Sequence, residues 1–432
     1  MKHTILLFFI LIQPLFAAIT EFKLDNGLKI IVKEDHRSPI FISQLWYKVG
    51  SADETKGITG ISHMLEHMMF KGTKNYGVGE FSKIIAKNGG SENAFTSRDY
   101  TGYYQKMKKS KLNIAFKLEA DRMQNLILNK AEFEKERKVV EEERRLRIED
   151  NPNSKLYEKL LSNVYPKGHP YANPVIGWMD DIKNYKLIDL KNWYQKFYAP
   201  NNTTLVVVGD VEPEDIYKLA NKYFGVIYKD PNIQKNNYID NNKYKAQNIE
   251  LKAYSKVPFY TMAYPVPSLK TAETIKEAYT LEMLAYLLDL RLTKKLQREK
   301  QIVASINTSY SLYSKYNSLF TFMLTPAEAN TVEDIQSEVL NEITKLQSED
   351  ISIKELQRIK AQIEAQHVYE QDSISTQAYY LGVLETVGLG YLEIDKYAEN
   401  MLAVDAAEIK KIAKKYLDNK KLSTAKLIPL KI

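Results

Sequence analysis

Ile61–Thr73 reads ISHMLEHMMFKGT, and two of the chain's six histidines fall in it, His63 and His67, four residues apart with Glu66 between them. The apolar spacing around them is helical. On a helix, positions 63 and 67 project about 40° apart and position 66 about 60° to the other side, so all three side chains share one arc. Two imidazoles at that spacing can both reach one small ion, with nitrogen–zinc distances near ~2.0–2.1 Å. Glu66 would stand beside such an ion and not on it, where a base for a water molecule belongs. The competing reading is a buried pair of structural histidines. It requires two imidazoles and a carboxylate to be desolvated side by side without a partner, which is costly.

A zinc ion held for chemistry needs a third protein ligand and one open position. Phe133–Arg147, FEKERKVVEEERRLR, offers three consecutive glutamates, so helical phase has to choose among them. Taking Val139, Val140 and Leu146 as the apolar face, Glu143 points with them and is the best ligand. Glu136 falls on the same stripe two turns earlier, an inward carboxylate close to the site that would orient a ligand or a water. Glu141 has Arg137, Lys138, Arg144 and Arg145 at neighbouring positions and reads as a solvated, ion-paired residue. Read alone, this helix is an exposed charged helix; a metal in need of a carboxylate changes that.

The chain has 432 residues, 44% of them apolar and 27% charged, with a formal net charge of +7 and no cysteine. Such a length exceeds one ordinary core and implies two domains of about 200 residues. The charge is dilute and carries no Arg-rich stripe, which argues against nucleic-acid binding. Without cysteine, any metal must be held by nitrogen and oxygen. Met1-Lys2-His3, then the apolar run TILLFFILIQPLF and Ala17-Ala18, reads as a signal peptide over residues 1–18 and an exported protein, periplasmic or secreted. Leu15 or Phe16 stands where a small residue is usual before cleavage, so an uncleaved anchor, and with it membrane attachment, is the alternative. No later stretch is long and apolar enough to cross a bilayer.

FKLDNGLKIIVKED reads as two strands around Asp25-Asn26-Gly27, and PIFISQLWYKVGS as another strand. Gly89-Gly90 ends a helical stretch before SENAFTSRDYTGYYQKM, rich in strand formers. Helices are expected over about 111–128 and 130–150, the second stopped by Asn151-Pro152, and TTLVVVGDV is a buried strand. Residues 229–248 are polar, rich in Asn and Lys, and read as a linker. It separates a first domain, 19–228, from a second, 249–432, that repeats the same order of strands and helices without the His-Glu-His cluster. A duplicated α+β domain is the economical reading.

The blocks HMLEHMMFKGT, GGSENAFTSRDYTGYY, EADRMQNL, ERKVVEEERR and DNP, in that order, resemble peptidase family M16, the inverted zinc peptidases that include pitrilysin, insulysin and the mitochondrial processing peptidase. The resemblance implies two similar domains, each a mostly antiparallel sheet packed with helices. It implies one zinc ion on His63, His67 and Glu143, since the family's third ligand lies seven residues after the Glu of its ER-x-V-V block, here Glu136. It implies hydrolysis of peptides or unfolded polypeptides with Glu66 as general base, the substrate lying extended along Asn93 and Ala94. In the second half, Arg298 matches a substrate-binding Arg, but Ser305 stands where a Tyr is usual. Short members of the family work as homodimers or heterodimers enclosing a chamber. A non-catalytic peptide-binding or assembly subunit paired with an active sister chain is the rival; the intact Glu66 argues against it and Ser305 mildly for it.

Overall fold

The computed structural model describes residues 19–233, 238–240, 243–328 and 330–430. The expected signal peptide, 1–18, lies outside them. The first half runs β1 (Ile19–Lys23), β2 (Lys29–Glu34), β3 (Ile40–Tyr47), α1 (Ile61–Met68), α2 (Glu80–Lys87), β4 (Ser91–Thr96), β5 (Thr101–Lys108), α3 (Leu112–Asn125), α4 (Lys130–Arg144), α5 (Pro152–Val164), α6 (Met179–Asn184), α7 (Leu187–Phe197), β6 (Thr203–Gly209) and α8 (Pro213–Phe224). The second runs β7 (Asn248–Tyr254), β8 (Phe259–Val266), α9 (Ile275–Leu292), β9 (Val303–Ser309), β10 (Ser318–Pro326), α10 (Val332–Ser348), α11 (Ile353–Gln371), α12 (Ile374–Val387), α13 (Tyr397–Ala403), α14 (Ala406–Tyr416) and β11 (Ser423–Leu430).

The strands form two sheets, ordered β1-β2-β6-β3-β5-β4 and β7-β11-β8-β10-β9. Removing β1 makes the two orders equivalent strand for strand. The pairing matches as well: β2 is parallel to β6 as β7 is to β11, and the β6-β3-β5-β4 and β11-β8-β10-β9 contacts are all antiparallel. The duplication read from element order is therefore real in topology.

The first sheet is covered on both faces, which is why Thr203–Gly209, TTLVVVG, is buried at every position and carries a continuous apolar run in place of an alternation. Leu205 and Val207 join one core with Ile30, Val32, Phe41, Leu45 and the buried side of α1. Val206 and Val208 face the other way, with Ile31, Ile42 and Trp46, onto Ala378, Leu381 and Leu384 of α12. That helix belongs to the second half of the chain. The loan is mutual: Leu156, Leu160 and Val164 of α5 pack on Ala263, Leu319, Ala425 and Leu427 of the second sheet. Each half thus buries an apolar sheet face with a helix of the other, and the halves are not independent cores.

Asn151-Pro152, expected to stop a helix, also starts one. The Asn151 side chain accepts from the amides of Asn153 and Ser154, and Pro152 occupies the first helical position of α5, where its missing N–H costs nothing. Between residues 229 and 248 the described residues before Asn248 form no helix or strand. Tyr238 and Tyr244 nevertheless pack against the buried His169, whose Nε2 lies 3.2 Å from Asp240, so this polar segment is fastened through its few aromatic residues.

Candidate metal centre

Helix α1 is short, and its position is set from its N-terminus. Gly60 adopts φ +84°, and a Cβ there would meet the Ile176 carbonyl at 2.3 Å; Gly177 faces it under the same constraint from Thr59. The buried Glu54 carboxylate accepts from the amides of Gly60 (2.6 Å) and Ser62 (2.9 Å), supplying partners to amides at the start of the helix. Ile61, Met64, Leu65 and Met68 then anchor the helix in the core. His63, Glu66 and His67 emerge together into a cleft of about 720 Å³, which Asn93, Ala94, Glu143 and Arg147 also line.

Glu143 comes from α4. Its Oε2 lies 3.3 Å from His67 Nε2 and 3.7 Å from His63 Nε2, and one donor atom from each residue falls within 4.8 Å of the others. Tetrahedral zinc with ligands at ~2.05 Å places its donors roughly 3.3 Å apart. The two spacings to Glu143, 3.3 and 3.7 Å, are close to that, so the cradle fits such an ion. Two imidazoles and a carboxylate are a zinc-type donor set with one corner left open. The other acidic–histidine grouping among the described residues, Glu34, His36 and Glu212, is on the surface, with the half-exposed His36 ring tied to Asp210 at 2.8 Å.

Around the cradle, Glu136 Oε1 lies 2.9 Å from His67 Nδ1, and its Oε2 pairs with Lys71 at 2.5 Å. This bond holds the ring by Nδ1 and leaves Nε2 turned toward Glu143. Arg147 holds the remaining Glu143 oxygen at 2.9 Å. Glu66 Oε2 accepts from Thr96 Oγ1 at 2.5 Å. Burial opposes charge on His67, but the bonds to Glu136 and Glu143 outweigh it and push its pKa up to about 9. His63, buried and beside His67, is pushed down. The Glu143 carboxyl is held low, first by its bond to His67. That of Glu66 is raised by burial, with Thr96 opposing.

The face of α4 differs from the sequence expectation. Its buried residues are Phe133, Glu136, Val140 and Arg144, while Val139 and Leu146 are 50% and 64% exposed. The α-helix ends at Arg144 and a π-helical turn, Arg145–Glu149, follows, so Leu146 no longer keeps the phase that three-residue spacing implies. Glu143 still points inward, through Val140 three residues before it.

Asn93 and Ala94 lie on β4, the free edge of the first sheet, and the Ala94 amide donates to Asn93 Oδ1 at 2.9 Å. Arg298 is exposed in the turn after α9, and Ser305 lies on β9, the corresponding edge of the second sheet; neither lines the cleft. Thr96 and Arg147 were not singled out from sequence. Thr96 had a usable signal, sharing a strand with Asn93. So had Arg147, which stands four residues after Glu143 at the ordinary spacing of a helical ion pair.

The class so defined is a duplicated α+β protein with a metal cradle opening beside a free sheet edge. Residues 29–177 match the family model described as Insulinase (Peptidase family M16), and 186–363 match Peptidase M16 inactive domain. The chain is 32% identical over 417 residues to Zinc protease PqqE of Helicobacter pylori, covering 94% of this chain and 92% of that protein. It is 24% identical over 398 residues to the Uncharacterized zinc protease YmxG of Bacillus subtilis, covering 92% and 95%. A crystal structure of a protease from Helicobacter pylori superposes with a TM-score of 0.87 at 29% identity, over 96% of this chain and all of that one. The periplasmic protease PqqL from Escherichia coli superposes with a TM-score of 0.79 at 17% identity, over 95% of this chain but 48% of that one. The chain belongs to peptidase family M16.

Proposed function

We propose that the chain is a zinc-dependent endopeptidase acting on peptides or unfolded polypeptides. The observation that carries the reading is the meeting of His63 Nε2, His67 Nε2 and Glu143 Oε2 beside a half-buried carboxyl, Glu66, that binds none of them. His63, His67 and Glu143 hold the ion. Zinc, when bound, lowers the pKa of water toward ~7 and polarises a carbonyl. Glu66 takes the proton of the attacking water and delivers it to the leaving amine, and a carboxyl raised by burial is suited to both steps. Glu136 keeps the His67 ring oriented. The substrate strand adds to the edge of β4 at Asn93 and Ala94, held by backbone hydrogen bonds, so side-chain selectivity is modest.

The same reading takes the protein as exported, divided at the 229–248 segment, and paired either with itself or with a related M16 chain. Arg298, exposed and outside the cleft, would reach substrate only in such an assembly. The test is hydrolysis of a quenched-fluorescence peptide by the purified protein, with a chelator and Glu66→Gln as controls. Hydrolysis should be lost with chelator, restored by zinc, and nearly abolished in Glu66→Gln while zinc is retained. A Glu66→Gln protein that cuts at the parent rate contradicts the assigned base; a parent with no activity alone, restored by a sister chain, favours the assembly subunit.

A further inference from the structure

A second cavity, of about 350 Å³, lies between the halves, walled by the β4–β5 turn on one side and by α9, α11, α12 and residues 310–314 on the other. Glu282 lines it together with Tyr286, Tyr310, Tyr313, Tyr380 and Tyr397. The rings meet at steep angles, Tyr313 and Tyr380 at 79° with centroids 6.3 Å apart, so the box presents both ring faces and edges.

Glu282 has no hydrogen bond or ion pair with any described residue, and its only charged neighbour of note is Glu370. Of the other charged residues lining the cavity, Asp99 and Glu370 accept hydrogen bonds, and Arg98 rests on an aromatic ring with its Nε unpaired. Asp99 accepts from Tyr171 Oη (2.5 Å) and the Lys315 amide (3.1 Å). Arg98 lies over the Tyr171 ring at 5.3 Å. Glu370 accepts from Gln366 at 2.9 Å, and the His367 ring lies against Tyr397, 5.8 Å between centroids. Burial, reinforced by Glu370, pushes the Glu282 carboxyl up to about 8, the state of an acid that lacks a counter-charge. Packing alone gives no reason for a carboxyl here, since an apolar side chain would fill the space without the desolvation cost.

Tyrosine faces attract cations, and a desolvated carboxylate supplies the opposite charge. We propose that this cavity binds an organic cation through a primary ammonium group, with Glu282 as its counter-charge and the tyrosine rings as its walls. The volume accommodates an alkylammonium chain, whether a free polyamine or a lysine side chain of a polypeptide. Glu282 and these five rings all come from the second half, and the first half supplies the facing wall. Arg98 lines this cavity and the metal cleft alike, so the two sites are neighbours. The inference does not depend on the metal centre.

The test is calorimetric titration of the full chain with spermidine and, separately, with a blocked lysine-containing tetrapeptide, its acetyl-lysine form serving as the neutral control. At least one amine should bind saturably, the acetylated peptide should not, and which amine binds identifies the source. Glu282→Gln, which keeps the shape, should weaken binding at least about tenfold, as should Tyr380→Leu, while Tyr380→Phe should retain it. Failure of both amines to bind the parent, or equal binding by Glu282→Gln, overturns the proposal.

Discussion

Glu136 Oε1 lies 2.9 Å from Nδ1 of His67, and Glu143 Oε2 lies 3.3 Å from the opposite nitrogen of the same ring. One imidazole is thus held between two carboxylates from one helix, two turns apart. If Glu136 orients this ring for a metal, Glu136→Ala should weaken zinc affinity by about 10- to 100-fold without removing a ligand. Competition with a fluorescent chelator measures it. An affinity equal to that of the parent would contradict the role.

The same geometry sets a pH dependence. His67 is pushed up to about 9 by its two carboxylate partners, so at neutral pH without metal its Nε2 carries a proton that zinc must displace. His63 is pushed down and gives up none. Zinc uptake near pH 7 should therefore release about one proton, and apparent affinity should rise about tenfold per pH unit between roughly pH 6 and 8. Calorimetry in buffers of different ionisation enthalpy counts the proton. An affinity flat across that range would show that His67 is already neutral.

Thr96 Oγ1 donates to Glu66 Oε2 at 2.5 Å and makes no hydrogen bond to His63 or His67. The isosteric Thr96→Val should lower kcat about tenfold, leave KM near the parent value and retain zinc. A rise in KM at constant kcat would assign Thr96 to substrate binding instead.

Gly382 of α12 packs on the first sheet so closely that a Cβ would stand 1.9 Å from Trp46 Cε2. Trp46 is fully buried at the centre of that sheet face and cannot retreat. Gly382→Ala should cost about 1–3 kcal/mol, read as a lower denaturant midpoint. An unchanged midpoint would mean that α12 is free to shift, and that the halves are less tightly joined than the packing implies.

Much of this was legible in the sequence because it is local. The turn at Asp25-Asn26-Gly27, with Gly27 at φ +90°, the buried strand at Thr203–Gly209 and the shared arc of His63, Glu66 and His67 all follow from short-range periodicity and turn chemistry. Glu143 was chosen by phase from a face only partly right, since Val139 and Leu146 are exposed and Val140 alone supports it. The π turn that breaks the phase has no compositional signature. The exchange of α5 and α12 between sheets was not legible either. Buried helical stripes such as Leu156, Leu160 and Val164 state that a partner exists and not which sheet provides it.

The most direct test of the metal centre is elemental analysis of the purified, folded protein beside its Glu143→Gln and Glu142→Gln variants. Glu142 lies exposed on the same helix, paired with Arg145 at 2.7 Å, and controls for loss of charge alone. The account predicts one zinc per chain in the parent and in Glu142→Gln, and much weaker retention in Glu143→Gln. No stoichiometric transition metal in the folded parent, or equal retention in the two variants, would contradict it.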